Sequence, residues 1–248
     1  LIMCPSKTRN PKQENDMPKH IAIIMDGNRR WAEKSNKPKR SGHHAGAKAL
    51  RKIVSTAARL KIPYLTVYGF SSENWQRPTR EIDDLMELLK LYLAKELRNL
   101  HKNKVRLHFI GILKSFDQVI VNLLRNAAKK TKLNNGLNFI IALNYGARSD
   151  ILLAVKTICK QAANKKIKID NIDENIFSQS LSTKQTPNPD LIIRTGGEVR
   201  LSNFLLWESA YAELFFTKKL WPDFDKNDLM QAIESFKKRE RRYGGSGG

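Results

Sequence analysis

The chain has 248 residues and 45 Lys and Arg against 24 Asp and Glu, a formal net charge of +21. That length can bury a sizeable core and fits one α/β domain. No run approaches the roughly 20 apolar residues of a membrane span and no basic-then-apolar signal pattern opens the sequence, so a soluble protein is expected.

Two cysteines, Cys4 and Cys159, are too few for a disulfide framework and favour the reducing cytoplasm. Cys159 follows Val155 by four residues on one helix face and reads as a buried, inert thiol. A positive excess attracts any polyanion. The first reading is a solvated lysine-rich surface, the second weak attraction to the inner face of a membrane. No zinc spacing or RNA-recognition signature accompanies the lysines, so no nucleic-acid partner is expected.

Residues 1–18 mix Pro, Lys, Asn and Gln without periodicity and read as a flexible arm, 19–243 as one domain, and the glycine-rich 244–248 as a flexible tail. Short apolar runs at 21–25, 64–70, 105–110, 137–143 and 191–193 predict strands, with a weaker sixth at 213–216. Their unbroken apolar character suggests burial on both faces. Segments 45–60, 81–100, 117–130 and 147–163 carry helical spacing. The alternation predicts a mostly parallel sheet flanked by helices, with ligands outside the C-terminal strand ends. The polar clusters begin there: Asp26, Ser71, Asn144 and Arg194 each stand where a predicted strand stops.

The first cluster is Met25-Asp-Gly-Asn-Arg-Arg-Trp31. A carboxylate at a strand end can hold Mg²⁺, which keeps waters and completes its shell with phosphate oxygens. Gly27 lets backbone N–H groups approach those oxygens if Asn28 opens a helix. His43 follows Gly42 at an expected helix start. The loop Phe70-Ser-Ser-Glu-Asn-Trp-Gln-Arg-Pro78 could be a lid, with Ser71 or Ser72 capping the helix that carries Glu81. In 82–100, Ile82, Leu85, Met86, Leu89, Tyr92, Leu93 and Leu97 form a stripe that Leu88 and Leu91 widen. It is a core helix or the wall of an apolar cavity. Finally, Arg194, Arg200 and Ser202 surround Gly196-Gly197, and such forks, hydroxyls and free glycine N–H groups hold phosphate. Together the clusters imply an enzyme that handles phosphorylated substrates with a metal.

Five motifs, Met25-Asp-Gly-Asn-Arg-Arg-Trp-Ala, Gly42-His-His-Ala-Gly-Ala, Tyr68-Gly-Phe-Ser-Ser-Glu-Asn-Trp-Gln-Arg-Pro, Asn144-Tyr-Gly-Ala-Arg and Ile193-Arg-Thr-Gly-Gly-Glu, occur in this order. In that order the chain resembles the cis-prenyltransferases from about Pro18 to Gly245, most of all the bacterial undecaprenyl diphosphate synthases. The resemblance implies Mg²⁺-dependent condensation of isopentenyl diphosphate onto an allylic diphosphate such as farnesyl diphosphate, with the polyprenyl chain growing in an apolar tunnel. It implies Asp26 as the central catalytic, metal-binding residue. Gly27, Asn28, Arg29, Arg30, Trp31, Lys39 and His43 would hold the allylic diphosphate. Ser71, Ser72, Glu73, Trp75 and Arg77 would lie near substrate. Asn74, the residue given the proton-acceptor part, is a poor base and reads better as orienting the true acceptor. Arg194, Arg200, Leu201 and Ser202 would form the isopentenyl diphosphate pocket, with Glu213 as a second metal ligand. Arg242 and Gly244 would reach a partner subunit, which implies a homodimer.

Two positions depart from the pattern. Arg29 stands where glycine is common, and Lys39 where arginine is frequent, offering a point charge without a fork. Asp83-Asp84 is followed by Leu-Met-Glu, so the aspartate-rich motif of trans-prenyl synthases is missing. A non-catalytic subunit of the same fold is the first rival reading, against which intact Asp26, Asn74, Arg194, Arg200 and Glu213 argue; a basic RNA-binding protein, for which no recognition module is present in the sequence, is the weaker one.

Overall fold

The computed structural model describes residues 17–239. Among these, the elements run β1 (His20–Ile24), α1 (Asn28–Lys34), α2 (Lys39–Arg59), β2 (Tyr64–Ser71), a 3-10 turn (Ser72–Gln76), α3 (Thr79–Lys102) and β3 (Arg106–Ile110). Then follow α4 (Gln118–Thr131), β4 (Asn138–Tyr145), α5 (Ala147–Ala163), α6 (Glu174–Ser180), β5 (Leu191–Arg194), β6 (Glu213–Phe216), a 3-10 turn (Trp221–Asp223) and α7 (Lys226–Lys237).

The six strands form one sheet in the order β3-β4-β2-β1-β5-β6, and every neighbouring pair is parallel. β1 is buried at all five positions, as its unbroken apolar run requires of a strand covered on both faces. Its side chains alternate. Ile21 and Ile23 face the layer of α2, α3, α4 and α7, while Ala22 and Ile24 face Tyr145, Ala147, Phe204 and Leu205. Each fully buried isoleucine there contributes about 1.5–3 kcal/mol of transfer free energy.

The chain leaves β1 toward β2 on one side and leaves β5 toward β6 on the other. The segments that follow cover opposite faces: α2 joins the first layer, and Phe204 and Leu205 the second. β1 and β5 therefore flank the point where the winding reverses, and a crevice opens at their C-terminal ends. Asp26 and Arg194 stand at that point.

Several expectations are corrected. α2 starts at Lys39 rather than 45, so His43 lies inside the helix and not at its start. The early turns are rich in glycine because α1 crosses closely: a Cβ on Gly42 would lie 2.0 Å from the Asn28 carbonyl oxygen. Ser71 caps the 3-10 turn, with Asn74, and not α3, whose N-cap is Pro78. α6 and α7 were not anticipated, although Leu229, Ala232, Ile233 and Phe236 of α7 have helical spacing and are buried. Cys159 is exposed. It does share a helix face with Val155, but that face points outward, and Ala147, Asp150, Ala154 and Ile158 form the buried one. Of the expected arm 1–18, Met17 and Pro18 fall within the described residues, and Met17 packs against the core; the rest, and the tail with Arg242 and Gly244, lie outside them.

Candidate active site

A cavity of about 520 Å³ opens at the C-terminal end of β1. Its mouth is polar, lined by Asp26, Asn28, Arg30, His43, Asn74 and Arg77, and its interior is apolar, lined by Leu50, Val67, Leu85, Leu89, Ile141 and Leu143. α3 serves both roles weighed for it. Leu85, Met86, Leu88, Leu89 and Tyr92 line the cavity, whereas Leu93 and Leu100 are buried in the core.

Asp26 sits at the centre of the polar end. Its backbone N–H donates to Thr195 Oγ1 at 2.9 Å, and the Thr195 hydroxyl donates to its carbonyl at 2.7 Å, which locks β1 to the loop after β5. Its carboxylate accepts from Arg30 Nη2 at 3.1 Å and from Arg194 Nη2 at 2.9 Å. Gly27, with φ 110°, makes the left-handed turn that starts α1 and brings Arg30 round to Asp26.

Two cationic groups flank this aspartate. In the first, Arg77 Nη1 donates to Glu81 Oε1 at 2.8 Å, Arg29 Nη1 lies 4.0 Å from Glu81 Oε2, and His43 Nε2 is 3.8 Å from Oε1, too far for a hydrogen bond. His43 Nε2 is buried without a hydrogen-bond partner among the described residues. Burial lowers the imidazole pKa from its ordinary value, and the Arg77 guanidinium lowers it further, so the neutral ring is favoured. In the second group, Arg194 is 4% exposed and its Nη1 donates to the Arg200 carbonyl and to Ser202 Oγ, both at 2.6 Å. Its Nε is also buried with no partner among the described residues. An orphaned guanidinium N–H and an orphaned imidazole nitrogen on either side of one carboxylate are the donors an anionic ligand would satisfy.

The structure brings Asp26, Gly27, Asn28, Arg29, Arg30, His43, Asn74 and Arg77 to one cavity, with Arg194 and Ser202 joined to it through Asp26. Ser71 and Ser72 bracket the base of the loop, and Trp75 is 39% exposed, edge-on to Phe70 at 5.2 Å. Arg200 is exposed and pairs with Glu198. Leu201 packs against the second core layer, and the exposed Glu73 accepts from Asn203 Nδ2 at 2.8 Å. None of Ser71, Ser72, Glu73, Trp75, Arg200 and Leu201 lines the cavity, and Trp31, Lys39 and Glu213 also lie outside it. The Trp31 indole N–H donates outward to Asp223 Oδ1 at 2.7 Å. Lys39 is exposed at the first turn of α2. Glu213 opens β6 opposite Leu191, at the strand end away from Arg194, and its carboxylate accepts from Arg239.

Glu81 was missed as a site residue. Its only sequence signal is its place four residues after Arg77. Glu198, between Arg30 at 3.7 Å and Arg200, was likewise not singled out.

Among the described residues no three His, Cys, Asp or Glu side chains converge as a metal site. Asp26 alone, a partly exposed carboxylate at the cavity wall, suits Mg²⁺, which takes one or two protein carboxylates and fills its shell with water and substrate phosphate. The residues present fit a metal that arrives with a diphosphate.

Known proteins of similar sequence and fold point to one family. Residues 24–244 match the prenyltransferase family model described as undecaprenyl diphosphate synthase. An isoprenyl transferase of Clostridium perfringens is 47% identical over 232 residues, 94% of this chain and 92% of that protein. A ditrans,polycis-undecaprenyl-diphosphate synthase of Photorhabdus laumondii, named as (2E,6E)-farnesyl-diphosphate specific, is 48% identical over 93% of this chain and 91% of its own length. The crystal structure of lavandulyl diphosphate synthase from Lavandula x intermedia with dimethylallyl diphosphate superposes with a TM-score of 0.91 at 35% identity, covering 93% of this chain and 100% of that one. With a fold, a polar mouth and an apolar cavity of this kind, and relatives matched over almost their full length, the chain belongs to the undecaprenyl diphosphate synthase family of prenyltransferases.

Proposed function

We propose that the protein condenses isopentenyl diphosphate units onto an allylic diphosphate, farnesyl diphosphate by analogy with the Photorhabdus relative, and builds a long-chain Z-polyprenyl diphosphate of the undecaprenyl class. The observation that carries this reading is the single cavity with cationic donors at its mouth and leucines in its depth. It suits a ligand with a diphosphate head and a hydrocarbon tail, and each buried CH₂ contributes about 0.8 kcal/mol.

In the reaction a bond forms between the isopentenyl terminal carbon and the allylic C1 while the C1–O bond breaks and pyrophosphate leaves with the electron pair. Loss of a proton then leaves the new double bond. Arg30, Arg77 and the neutral His43 hold the allylic diphosphate, and charge on the departing group grows against guanidinium N–H donors already in place. Arg194 and Ser202 hold the isopentenyl diphosphate, with the orphaned Arg194 Nε available to it. Asp26 lies between the two and is the residue to carry Mg²⁺, which when bound would neutralise phosphate charge. Asn74 Oδ1 accepts from the Ser71 N–H at 3.0 Å, so its NH₂ is the end left to orient a diphosphate oxygen that takes the proton. The apolar interior excludes water from the cation-like carbon.

A homodimer and a place at the cytoplasmic face of the membrane complete the proposal. They rest on an outward apolar stripe of α5, on the charge of +21, and on the lack, among the described residues, of a helix able to span a bilayer. Supply of a lipid carrier for cell-wall glycans would be its role.

The test is incorporation of labelled isopentenyl diphosphate with farnesyl diphosphate, with Mg²⁺ or with EDTA, followed by sizing of the lipid. A metal-dependent ladder ending near the eleven units that the name undecaprenyl denotes is expected. Asp26→Ala should cost at least about 10³-fold in kcat, equivalent to roughly 4 kcal/mol, with the fold retained. Turnover near the parental rate in that variant would remove Asp26 from the centre of the reaction.

A further inference from the structure

One motif of the sequence, Asn144-Tyr-Gly-Ala-Arg148, touches neither diphosphate group. We propose that it is the seat that docks the catalytic loop 71–77, and that Asn144 and Asn203 are positioning residues for the condensation. This inference rests on the reading of the site given above and adds to it how the loop is held.

Asn144, near the end of β4, is 6% exposed and has φ 47°, a left-handed conformation that asparagine tolerates better than other side chains. Its carboxamide is used at both ends. Oδ1 accepts the indole N–H of Trp75 at 2.8 Å, and Nδ2 donates to the Ile112 carbonyl at 3.1 Å in the turn after β3. The Asn144 carbonyl in turn accepts the Ile112 N–H at 3.1 Å. Trp75, exposed on the loop, is thus tied to two strand ends of the rigid sheet.

Two residues on, Gly146 leaves room for the loop. A Cβ there would stand 2.5 Å from Ser72 Oγ and 2.6 Å from Asn203 Nδ2. Asn203, also left-handed with φ 63°, is fixed to the start of α5. Its Oδ1 accepts the Arg148 N–H at 2.9 Å and its carbonyl the Ala147 N–H at 2.8 Å. That leaves Nδ2 to donate to Glu73 Oε1 at 2.8 Å.

Two carboxamides therefore grip the loop at Glu73 and Trp75, the residues either side of Asn74. Each grip needs a donor and an acceptor on one short side chain, which neither aspartate nor leucine offers. The loop itself is polar and partly exposed, and its one large apolar side chain, Trp75, packs on Phe70 and Phe116 while staying 39% exposed. Since Asn74 and Arg77 face the cavity from this loop, the seat sets where they stand. The Asn203 contact also ties the loop to the strip that carries Arg200 and Ser202, so the two cationic groups are linked through the seat.

The test is Asn144→Gly, which keeps the left-handed backbone and removes the carboxamide with both its hydrogen bonds, alongside Trp75→Phe, which keeps an aromatic ring and removes the indole N–H. Hydrogen exchange by mass spectrometry should show the peptide over 71–77 losing protection about tenfold in Asn144→Gly, while β1 keeps its protection and the melting temperature falls only modestly for the lost Ile112 bond. In turnover, kcat should fall about tenfold for each single variant, and the double variant should be no worse than Asn144→Gly alone, because both remove the Trp75–Asn144 contact. Unchanged exchange over 71–77, or losses that multiply in the double variant, would overturn the seat. Should the parental protein make no lipid at all, the reading of the site falls, and the exchange experiment still decides whether the loop docks on Asn144.

Discussion

His20 and His43 are both buried, yet only His43 has an unsatisfied nitrogen. His20 Nδ1 lies 2.7 Å from the Pro187 carbonyl, which can only accept, so Nδ1 carries the proton; Nε2 then accepts the Thr66 hydroxyl at 2.7 Å. A second proton would charge a ring that is 2% exposed, and burial lowers the pKa from 6.5 to about 4. The unfolded chain therefore binds the proton first. Stability is fully present above pH 6.5 and declines as pH falls toward 4, by on the order of 2–3 kcal/mol from this one ring. Urea unfolding of the parent between pH 6.5 and 4.5 should show that decline, and His20→Gln, though weaker throughout, should show a shallower one. Equal slopes would place the titration elsewhere. Arg194 and Ser202 were readable because they share one short loop. Glu81 was not, because its partners Arg29, His43 and Arg77 come from three elements whose convergence only the packed fold determines.

Among the elements, α3 shows how a periodic pattern can carry two meanings. Its widened apolar stripe left core helix and cavity wall open, and the helix is both because it lies along the cavity rather than across it. The same helix separates two spaces. Beyond the 520 Å³ cavity lies a second of about 450 Å³ between α2 and α3, and among the described residues Tyr92 alone lines both. The far side is polar. Arg51 Nε and Glu96 Oε2 are 3.1 Å apart, and Asn99 donates to the same oxygen at 3.3 Å. A hydrocarbon tail that reaches Tyr92 meets a ring and then a polar ion pair whose Arg51 side is 60% exposed, so further growth stops gaining about 0.8 kcal/mol per CH₂. Tyr92→Ala should join the two cavities and lengthen the final lipid by at least one isoprene unit, while Tyr92→Phe should keep the parental endpoint. An unchanged endpoint in folded Tyr92→Ala would show that growth ends elsewhere. By contrast the strands were readable to within a residue or two, since burial on both faces leaves little choice of composition. The first turns of α2 were not, because Gly42 and Gly46 serve the crossing of α1 and lower helix propensity where the helix begins.

For the molecule as a whole, the outward face of α5 is the feature the single chain leaves unused. Leu152 is 61% exposed and Val155 42%, and with Cys159 they fall on one side of the helix, beside Leu153 at 46%. Reading Cys159 as buried was reasonable from its spacing after Val155 alone, because periodicity shows that a helix has an apolar side and says nothing about which surface covers it. A second copy of the chain is the occupant that the homodimer reading supplies, and self-complementary packing of one apolar patch is how two-fold dimers form. Sedimentation should then give twice the 28.5 kDa of one chain, and Leu152→Asp with Val155→Asp should give the single mass with its thermal unfolding still cooperative. The charge of +21 adds a second arm. The parental dimer should co-sediment with anionic vesicles at low salt and not with neutral ones, and the attraction should fade as the Debye length shrinks from about 30 Å at 0.01 M to about 8 Å at physiological ionic strength. A parental protein that sediments as one chain removes the dimer, and binding that ignores lipid charge or salt removes the electrostatic attachment. Either result leaves the chemistry of the cavity to be judged on its own.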